Sequence, residues 1–514
     1  MNLTVLSTSD THGFLYPTDF KKRNQSQNFG LTKVVSEIRR IEKAADGVVL
    51  KIDNGDFLQG SPLSFYLAKN PSEGSMADIM NEVGYDCGVL GNHEFNYGIE
   101  FLEATINRLN YPIVCANILK ENGDYLTGTP YVIFERNEVK IAVLGLTTPY
   151  IPHWEQPETV RGLIFKSAVA TAKEFVPKLR QLADVVIVSY HGGFEKDLET
   201  GEPIEVLTGE NEGYDLLHQV TGIDVLLTGH QHRYIALNDG PAPTTQPGDK
   251  GKFLAKVDLS FDESTKLIQR SHAELIEIDD QEEDKELKEK FLPLLENVET
   301  WLDQTLGTVL GDMIIKDPME VRMFNHPYIE FIQNVQKDVS GVDVSATPLF
   351  SDEAKGFGSK IQMREIATNF VYSQALMVVE VSGEELKAAL EWSASYFEYN
   401  EKDGVHISFD MSEPKVAHFN YDIYSGIDYT IDVKCAKGSR ITKLKYHGKN
   451  LLPDEKIKIV MNQYRAVGGG DYHMFSPDKI VKEIKVDMAE LITSYLQKNP
   501  VVEATQPTNF TLEQ

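Results

Sequence analysis

Residues 3–12 read LTVLSTSDTH, a short run of aliphatic and β-branched residues that leads directly into an acidic and an imidazole side chain. A run of this length and composition predicts a buried strand. Asp10 and His12 then lie just beyond the end of that strand. Because ligand sites of open α/β sheets form at the carboxyl ends of the strands, this pattern places Asp10 and His12 where a ligand can bind.

The same pattern returns four more times in the first half of the chain, after the runs GVVLKI, CGVLG, DVVIVSY and DVLLTG. With the first, the polar clusters are Asp10-Thr11-His12, Asn54-Gly55-Asp56, Gly91-Asn92-His93-Glu94, His191-Gly192-Gly193 and Gly229-His230-Gln231-His232. Amphipathic segments at 31–45 and 168–183 separate several of the runs, and this alternation predicts an α/β domain. Clusters at the ends of neighbouring strands can meet although they are far apart in sequence.

The side chains in these clusters suit divalent metal ions. Carboxylate, amide carbonyl and neutral imidazole groups bind Mn, Fe, Zn or Mg. A capping Asp and a core His explain one Asp-x-His motif equally well, and a turn explains one Gly-Asn-His-Glu. Five such clusters at five strand ends in one half of the chain favour a shared metal site.

Length and charge narrow the class of protein. The chain has 514 residues, so two domains are expected, and its net charge is −28. The acidic excess argues against a nucleic-acid polymer as partner. A small anionic substrate is compatible with it if bound metal ions supply a local positive centre.

Two other features bear on the compartment. The three cysteines suggest no disulfide framework, and no apolar stretch reaches the ~20 residues that would span a bilayer. The chain enters the first strand without a signal peptide, so we expect a cytoplasmic protein without a membrane partner. A mature secreted or periplasmic form would read the same, and the sequence does not indicate an oligomeric state.

The chain is expected to divide near residue 279. Residues 279–306 are strongly charged, and apolar residues from Leu287 to Val298 repeat at helical spacing, so we predict a linker helix there. It would join a catalytic domain, residues 1–278, to a second domain, residues 307–514. The Pro- and Gly-rich segment 237–251 predicts a surface loop.

The ordered set DTH, NGD, GNHE, YHGG and GHQH resembles the calcineurin-like metallophosphoesterase superfamily, and most closely its two-domain 5'-nucleotidase family. The resemblance extends from Leu3 to about Asp258, and EWSASYF and NQYRAVGGGDY resemble the second domain of that family. It implies a four-layer α/β/β/α catalytic domain and a C-terminal α+β nucleotide-binding domain. The implied activity is hydrolysis of nucleotide phosphate esters.

The resemblance also implies two divalent ions, whose identity stays open among Mn, Zn, Fe, Co and Mg. The implied ligands are Asp10, His12, Asp56 and His232 for one ion and Asp56, Asn92, His191 and His230 for the other. Asp56 would bridge the ions, with Asp53 as the alternative. A metal-bridging hydroxide would attack phosphorus, and His93 would stabilise the developing charge or protonate the leaving oxygen.

One position departs from the 5'-nucleotidase pattern. Family 5'-nucleotidases carry Asp where GNHEFNYG has Asn96, and an Asn carbonyl orients the imidazole of His93 without stabilising its cation as a carboxylate does. This variant and DNGDFLQGSPL resemble the bacterial 2',3'-cyclic-nucleotide 2'-phosphodiesterase/3'-nucleotidase branch, which is therefore the expected activity. The alternatives are a 5'-nucleotidase or nucleotide-sugar hydrolase, and a nucleotide-binding module without turnover.

Candidate nucleotide-binding residues lie in the second half. By resemblance, Tyr464 and Tyr421 would stack on the base, with Tyr424 as the substitute for Tyr421; ordinary packing is the alternative for each. Stacking contributes ~1–3 kcal/mol per base and tolerates any base. Arg364 and Arg465 are the candidates for binding phosphate.

Overall fold

The computed structural model describes residues 2–155, 157–262, 265–370, 375–412 and 416–514. It divides into two compact units, residues 1–300 and residues 301–514. Within the described ranges, no helix has the length and apolar character that crossing a bilayer demands.

The first unit is built on two large sheets. Its strands are β1 (Asn2–Thr8), β2 (Val48–Asp53), β3 (Cys87–Gly88), β4 (Ile118–Lys120), β5 (Tyr131–Arg136), β6 (Val139–Thr147), β7 (Leu163–Phe165), β8 (Val185–His191), β9 (Val225–Leu227), β10 (Tyr234–Leu237), β11 (Thr244–Pro247), β12 (Phe253–Phe261) and β13 (Ile268–Glu277). One sheet has the order β13-β12-β1-β2-β3 and the other the order β10-β11-β9-β8-β6-β5. A short β4-β7 pair completes the described strands of the unit.

The two sheets face each other across an apolar layer. Leu3, Leu50 and Val257 of the five-stranded sheet and Ile141 and Ile187 of the six-stranded sheet belong to one buried cluster. The intervening residues of each strand point to the opposite face, because side chains alternate along a strand. On the six-stranded sheet this opposite face is apolar and needs a covering layer.

Helices provide that cover. They are α1 (Leu31–Ala44), α2 (Pro62–Lys69), α3 (Met76–Val83), α4 (Ile99–Arg108), α5 (Ala168–Leu179), α6 (Gly213–Gln219) and α7 (Lys285–Leu302), with 3₁₀ turns at His93–Phe95 and Ile151–His153. Ala172 and Phe175 of α5 and Leu216 of α6 pack with Leu144 and Val186 on the outer face of the six-stranded sheet. This arrangement confirms the expected four-layer α/β/β/α fold.

The predicted surface loop at 237–251 is wrong in its middle. Thr244–Pro247 forms β11, all four of its residues are buried, and it pairs in parallel with β9 and antiparallel with β10. The Pro and Gly residues on both sides of the strand are typical of a loop, which explains the prediction. The two β-branched residues, Thr244 and Thr245, were the strand signal within it.

The charged segment that was predicted to join the domains contains α7. Its Leu287 and Val298 are buried, and most of the helix lies within the first unit. The backbone carbonyl of Lys288 accepts a hydrogen bond from the Tyr16 hydroxyl at 2.9 Å. An ion pair between Lys290 and Glu82 at 2.6 Å adds a surface contact to the same unit.

The second unit contains several smaller sheets. Its strands are β14 (Thr305–Leu310), β15 (Met313–Ile314), β16 (Val344–Pro348), β17 (Gly356–Phe357), β18 (Lys360–Gln362), β19 (Leu376–Ser382), β20 (Phe397–Asn400), β21 (Gly404–Ile407), β22 (Asp422–Ser425), β23 (Ile427–Asp432), β24 (Ile441–Tyr446), β25 (Lys449–Asn450), β26 (Lys456–Asn462), β27 (Ile480–Ile484), β28 (Val501–Glu503) and β29 (Phe510–Glu513). The largest described sheet has the order β22-β16-β26-β19-β27.

Helices pack on these sheets. They are α8 (Pro318–Phe324), α9 (Pro327–Ser340), α10 (Met363–Asn369), α11 (Gly383–Ala394), α12 (Phe409–Ser412), α13 (Gln463–Ala466) and α14 (Met488–Lys498), with 3₁₀ turns at His418–Asn420 and Pro477–Lys479. The amphipathic α9 lies against β16 and β26 through buried residues that include Ile332 and Val335. Mixed strands and helices of this kind confirm the expected α+β character of this unit.

Candidate metal centre and active site

The polar clusters meet where the strands end. The potential ligand atoms form three groups, and within each group all atoms lie within 4.8 Å of one another. The groups are Asp10, His12 and His232; His12, Asp56 and His93; and Asp56, His191 and His230. The segments converge because β1 and β2 run parallel in one sheet and β8 and β9 run parallel in the other. Asp56 and His12 each belong to two of these groups, so the groups are continuous.

The backbone at this centre is strained. Asp10, His12, Asp56, His230 and His232 have φ angles of 54, 49, 60, 68 and 56°. This left-handed conformation costs an ordinary L-residue roughly 1–2 kcal/mol. Strain that persists at several converging positions is characteristic of functional sites.

The contacts of His12 indicate which of its two ring nitrogens is available to bind a metal ion. Its Nδ1 lies 2.8 Å from the backbone carbonyl oxygen of Gln59, which can only accept, so Nδ1 carries the hydrogen. In the neutral ring, Nε2 then presents a lone pair. That atom lies 3.1 Å from Nε2 of His232 and 3.9 Å from Oδ1 of Asp10. Lone pairs that converge in this way suit a shared cation, since ligands with metal bonds of about 2.0–2.1 Å lie roughly 3 Å apart.

His191 is arranged in the same way. Its Nδ1 donates to the backbone carbonyl of Asn54 at 2.6 Å, and its Nε2 faces Oδ2 of Asp56 at 3.1 Å and Oδ1 of Asp10 at 3.8 Å. Burial opposes protonation of this ring, yet the two carboxylates outweigh burial and raise the pKa of His191 to about 10. The carboxylates of Asp10 and Asp56 therefore favour a positive charge near Nε2 of His191, and a bound metal ion would provide that charge.

His230 completes the set with Asn92. Its Nε2 lies 3.0 Å from Oε1 of Glu210, and its Nδ1 lies 2.8 Å from Oδ1 of Asn92. If Nε2–H donates to the Glu210 carboxylate, the Nδ1 lone pair and the Asn92 oxygen face each other as two acceptors. The donor set of this centre thus fits divalent ions.

Asp53, the last residue of β2, and Asp56, which follows the strand, have different surroundings. Asp56 lies in two of the three groups, whereas Asp53 lies in none of those found among the described residues. Oδ1 of Asp53 accepts a hydrogen bond from the backbone N–H of Gly55 at 3.3 Å. Burial, with Glu94 nearby, raises the pKa of Asp53 well above its ordinary value. These contacts describe Asp53 as a residue of the supporting loop.

Glu94 holds the loop that carries Asp56. Its carboxylate accepts four backbone N–H bonds, from Asp56, Phe57, Leu58 and Gly91, at 2.6 to 3.1 Å. Burial raises the pKa of this carboxyl to about 7. Glu94 was visible in the GNHE motif, but the sequence did not reveal this role because all but one of its partners belong to a different motif.

His93 lies beside the centre. Its backbone N–H donates to Oδ1 of Asp56 at 2.8 Å, and its Nδ1 lies 2.6 Å from Oδ1 of Asn96 and 3.2 Å from Oε1 of Gln59. The amide nitrogen of Asn96 donates in turn to Oε1 of Glu155. Glu155 lies in a loop without a recognisable motif, so no sequence pattern pointed to it.

The predicted nucleotide-binding residues are spread over the second unit. Tyr421 is fully buried and donates to the backbone carbonyl of Arg322 at 2.9 Å; Tyr424 is also fully buried. Arg465 is buried and bonds Asp422 at 2.6 Å.

The other two predicted residues, Arg364 and Tyr464, have different surroundings. Arg364 is paired with Asp303 at 2.5 Å. Tyr464 is only partly buried, and its ring centroid lies 6.0 Å from that of Phe419, which is 36% exposed. Phe419 lies two residues before Tyr421 on an irregular segment, where no periodicity indicates which ring faces outward.

Comparison with known proteins agrees with this architecture. Residues 3–234 match the calcineurin-like phosphoesterase family, and residues 315–477 match the C-terminal domain of 5'-nucleotidases. A solved structure of a putative 5'-nucleotidase from Staphylococcus aureus, in complex with alpha-ketoglutarate, is 40% identical, covers 100% of both chains and superposes with a TM-score of 0.93.

Two curated proteins are also similar over nearly the whole chain. A 2',3'-cyclic-nucleotide 2'-phosphodiesterase/3'-nucleotidase of Yersinia enterocolitica is 28% identical over 93% of this chain and 84% of its own length. A trifunctional nucleotide phosphoesterase of Bacillus subtilis is 26% identical over 100% of this chain, which spans 39% of that protein. The chain therefore belongs to the calcineurin-like metallophosphoesterases, in their two-domain 5'-nucleotidase family, and is a hydrolase of phosphate esters.

Proposed function

We propose that this hydrolase opens 2',3'-cyclic nucleotides and then releases phosphate from the resulting 3'-nucleotides. The observation that carries the proposal is Asn96, which sits where 5'-nucleotidases of the family carry Asp and whose carbonyl oxygen lies 2.6 Å from Nδ1 of His93. The similarity to the Yersinia enterocolitica protein, whose name states both activities, supports the same assignment.

We propose that two divalent ions bind in the first unit. One would be held by Asp10, His12, Asp56 and His232, and the other by Asp56, Asn92, His191 and His230. Bound there, the ions would supply positive charge for the phosphate ester and a hydroxide nucleophile at neutral pH. The orienting bonds of His12 and His191 to backbone carbonyls keep their Nε2 atoms directed into the centre.

His93 is assigned to the leaving oxygen. Its backbone N–H is bonded to the proposed bridging carboxylate of Asp56, so the ring is held at the edge of the metal centre. Nδ1 is engaged by Asn96, and Nε2 is therefore the nitrogen that delivers a proton to the ribose oxygen as the ester bond breaks. General-acid assistance of this kind contributes typically about 10²–10⁴ in rate.

We propose that the second unit binds the nucleobase between Tyr464 and Phe419. Both rings retain accessible surface, and their T-shaped arrangement, with planes at 80°, would open into a sandwich by a side-chain rotation. Tyr421 is enclosed by Tyr396 and Phe397, so Phe419 takes its place in this proposal. Arg465 already has a carboxylate partner in Asp422, so we do not assign it to the phosphate.

A substrate panel tests the assignment. Purified protein, treated with chelator and then replenished with Mn, is assayed on 2',3'-cyclic AMP, 3'-AMP and 5'-AMP. We expect turnover of the first two, and none for the enzyme kept in chelator. A dominant rate on 5'-AMP would select the second candidate, a 5'-nucleotidase, which the similarity to the putative 5'-nucleotidase from Staphylococcus aureus favours.

A further inference from the structure

A buried carboxyl group outside the proposed ligand set lies behind the proposed acid. Glu155 follows the 3₁₀ turn Ile151–His153 and is 6% exposed. Its Oε1 accepts a hydrogen bond from the side-chain nitrogen of Asn96. Among the residues that the structure describes, no lysine or arginine forms an ion pair with it. Burial of a carboxylate without a basic partner lowers the free energy of unfolding. Buried ionisable groups of this kind are candidates for a functional role.

The chemistry of the amide makes this contact directional. An ionised carboxylate can only accept hydrogen bonds, so it must face the Nδ2 end of Asn96. The Oδ1 end of the amide then faces Nδ1 of His93, at 2.6 Å. An oxygen at that position requires a hydrogen on Nδ1. The proton that His93 gains or loses therefore resides on Nε2, the nitrogen that is not engaged by Asn96.

We propose that Glu155 is a positioning residue for phosphate-ester hydrolysis, which fixes the orientation of the Asn96 amide and thereby the tautomer of His93. The inference rests on the proposed role of His93 as the acid. An aspartate at position 96 would offer an oxygen to His93 in either orientation, whereas an asparagine offers an oxygen in only one of two. In this chain position 96 has no carboxylate, and the carboxylate of Glu155 lies one hydrogen bond further from His93.

The side chain of Gln59 also faces this chain of hydrogen bonds. Oε1 of Gln59 lies 3.2 Å from Nδ1 of His93 and is a second, weaker acceptor for the same hydrogen. Because Gln59 also helps to keep the hydrogen on Nδ1 of His93, loss of Glu155 should reduce the rate of hydrolysis without abolishing it. Burial raises the pKa of Glu155 to about 7, so the carboxylate form that orients the amide is the prevailing one at mildly alkaline pH.

The test is a rescue experiment at pH 8 with metal-replete enzyme and 3'-AMP as substrate. Glu155→Gln keeps the size of the side chain but can donate or accept, so both amide orientations become available. We expect kcat to fall about tenfold while KM stays within about twofold of wild type. Adding Asn96→Asp should restore most of kcat, because the carboxylate introduced at that position accepts from both His93 and the new glutamine amide.

Controls separate this inference from the proposed function. Glu37→Gln removes a buried carboxyl group whose partner is Arg40 and should leave kcat unchanged. His93→Ala measures the acid itself: a wild-type rate there would overturn the role of His93. If His93→Ala is impaired, then a wild-type kcat for Glu155→Gln overturns the positioning role alone. Absence of rescue in the double variant overturns it as well.

Discussion

Glu155→Gln should stabilise the protein at alkaline pH. Burial raises the pKa of Glu155 from its ordinary value of 4.5 to about 7, and its bond with Asn96 only partly offsets that effect. Because the folded state binds the proton more tightly than the unfolded state, the free energy of unfolding falls as pH rises from about 4.5 to 7. At ~1.36 kcal/mol per pKa unit, the loss is about 3 kcal/mol, and glutamine does not incur it.

Chemical denaturation at pH 5 and pH 8 measures this difference. With the metal concentration fixed, the variant should be more stable than wild type by less than about 1 kcal/mol at pH 5, because Glu155 is still neutral in the folded state there and only the unfolded state is ionised. At pH 8 the variant should be more stable by about 3 kcal/mol. Glu37→Gln, which removes a partner of Arg40, should show no such gain. A Glu155→Gln variant that is equally stable or less stable than wild type at pH 8 would refute the reasoning.

Three further outcomes are expected. Chelation should abolish hydrolysis and lower the melting temperature, because ions that bind the folded state and not the unfolded state stabilise the fold; calorimetry with and without Mn measures this. His93→Ala should lower kcat about 10²–10⁴-fold with unchanged metal content by elemental analysis. Tyr464→Ala should raise KM for a nucleotide by roughly 5–150-fold, the equivalent of ~1–3 kcal/mol of stacking, and leave hydrolysis of a phosphate ester without a base unaffected; steady-state kinetics on both substrates measures this.

The convergence of the polar clusters was the feature of the site that sequence could predict best. Asp10, Asp56, His191 and His230 each follow an apolar run, and the ends of parallel strands must lie at one edge of a sheet. That rule accounts for proximity within each sheet, of Asp10 to Asp56 and of His191 to His230, whereas the packing of the two sheets against each other brings the two pairs together. The three groups of ligand atoms bring these four residues to the places that the rule expects.

The groups that support the centre could not be found in this way. Glu155 and Glu210 reach Asn96 and His230 from loops, where neither strand period nor motif fixes the position of a side chain. The aromatic residues of the second unit present the same difficulty. Phe419 and Tyr421 are two residues apart in an irregular segment, and only tertiary packing decides which ring is buried.

The left-handed backbone at the metal centre has a consequence for descendants of this protein. Asp10, His12, Asp56, His230 and His232 hold a conformation that glycine adopts at less cost. In a lineage no longer selected for turnover, replacement by glycine at these five positions would stabilise the fold. Loss of the enzyme's activity should therefore leave a signature: glycine should accumulate at these positions while the apolar layer between the sheets keeps its residues.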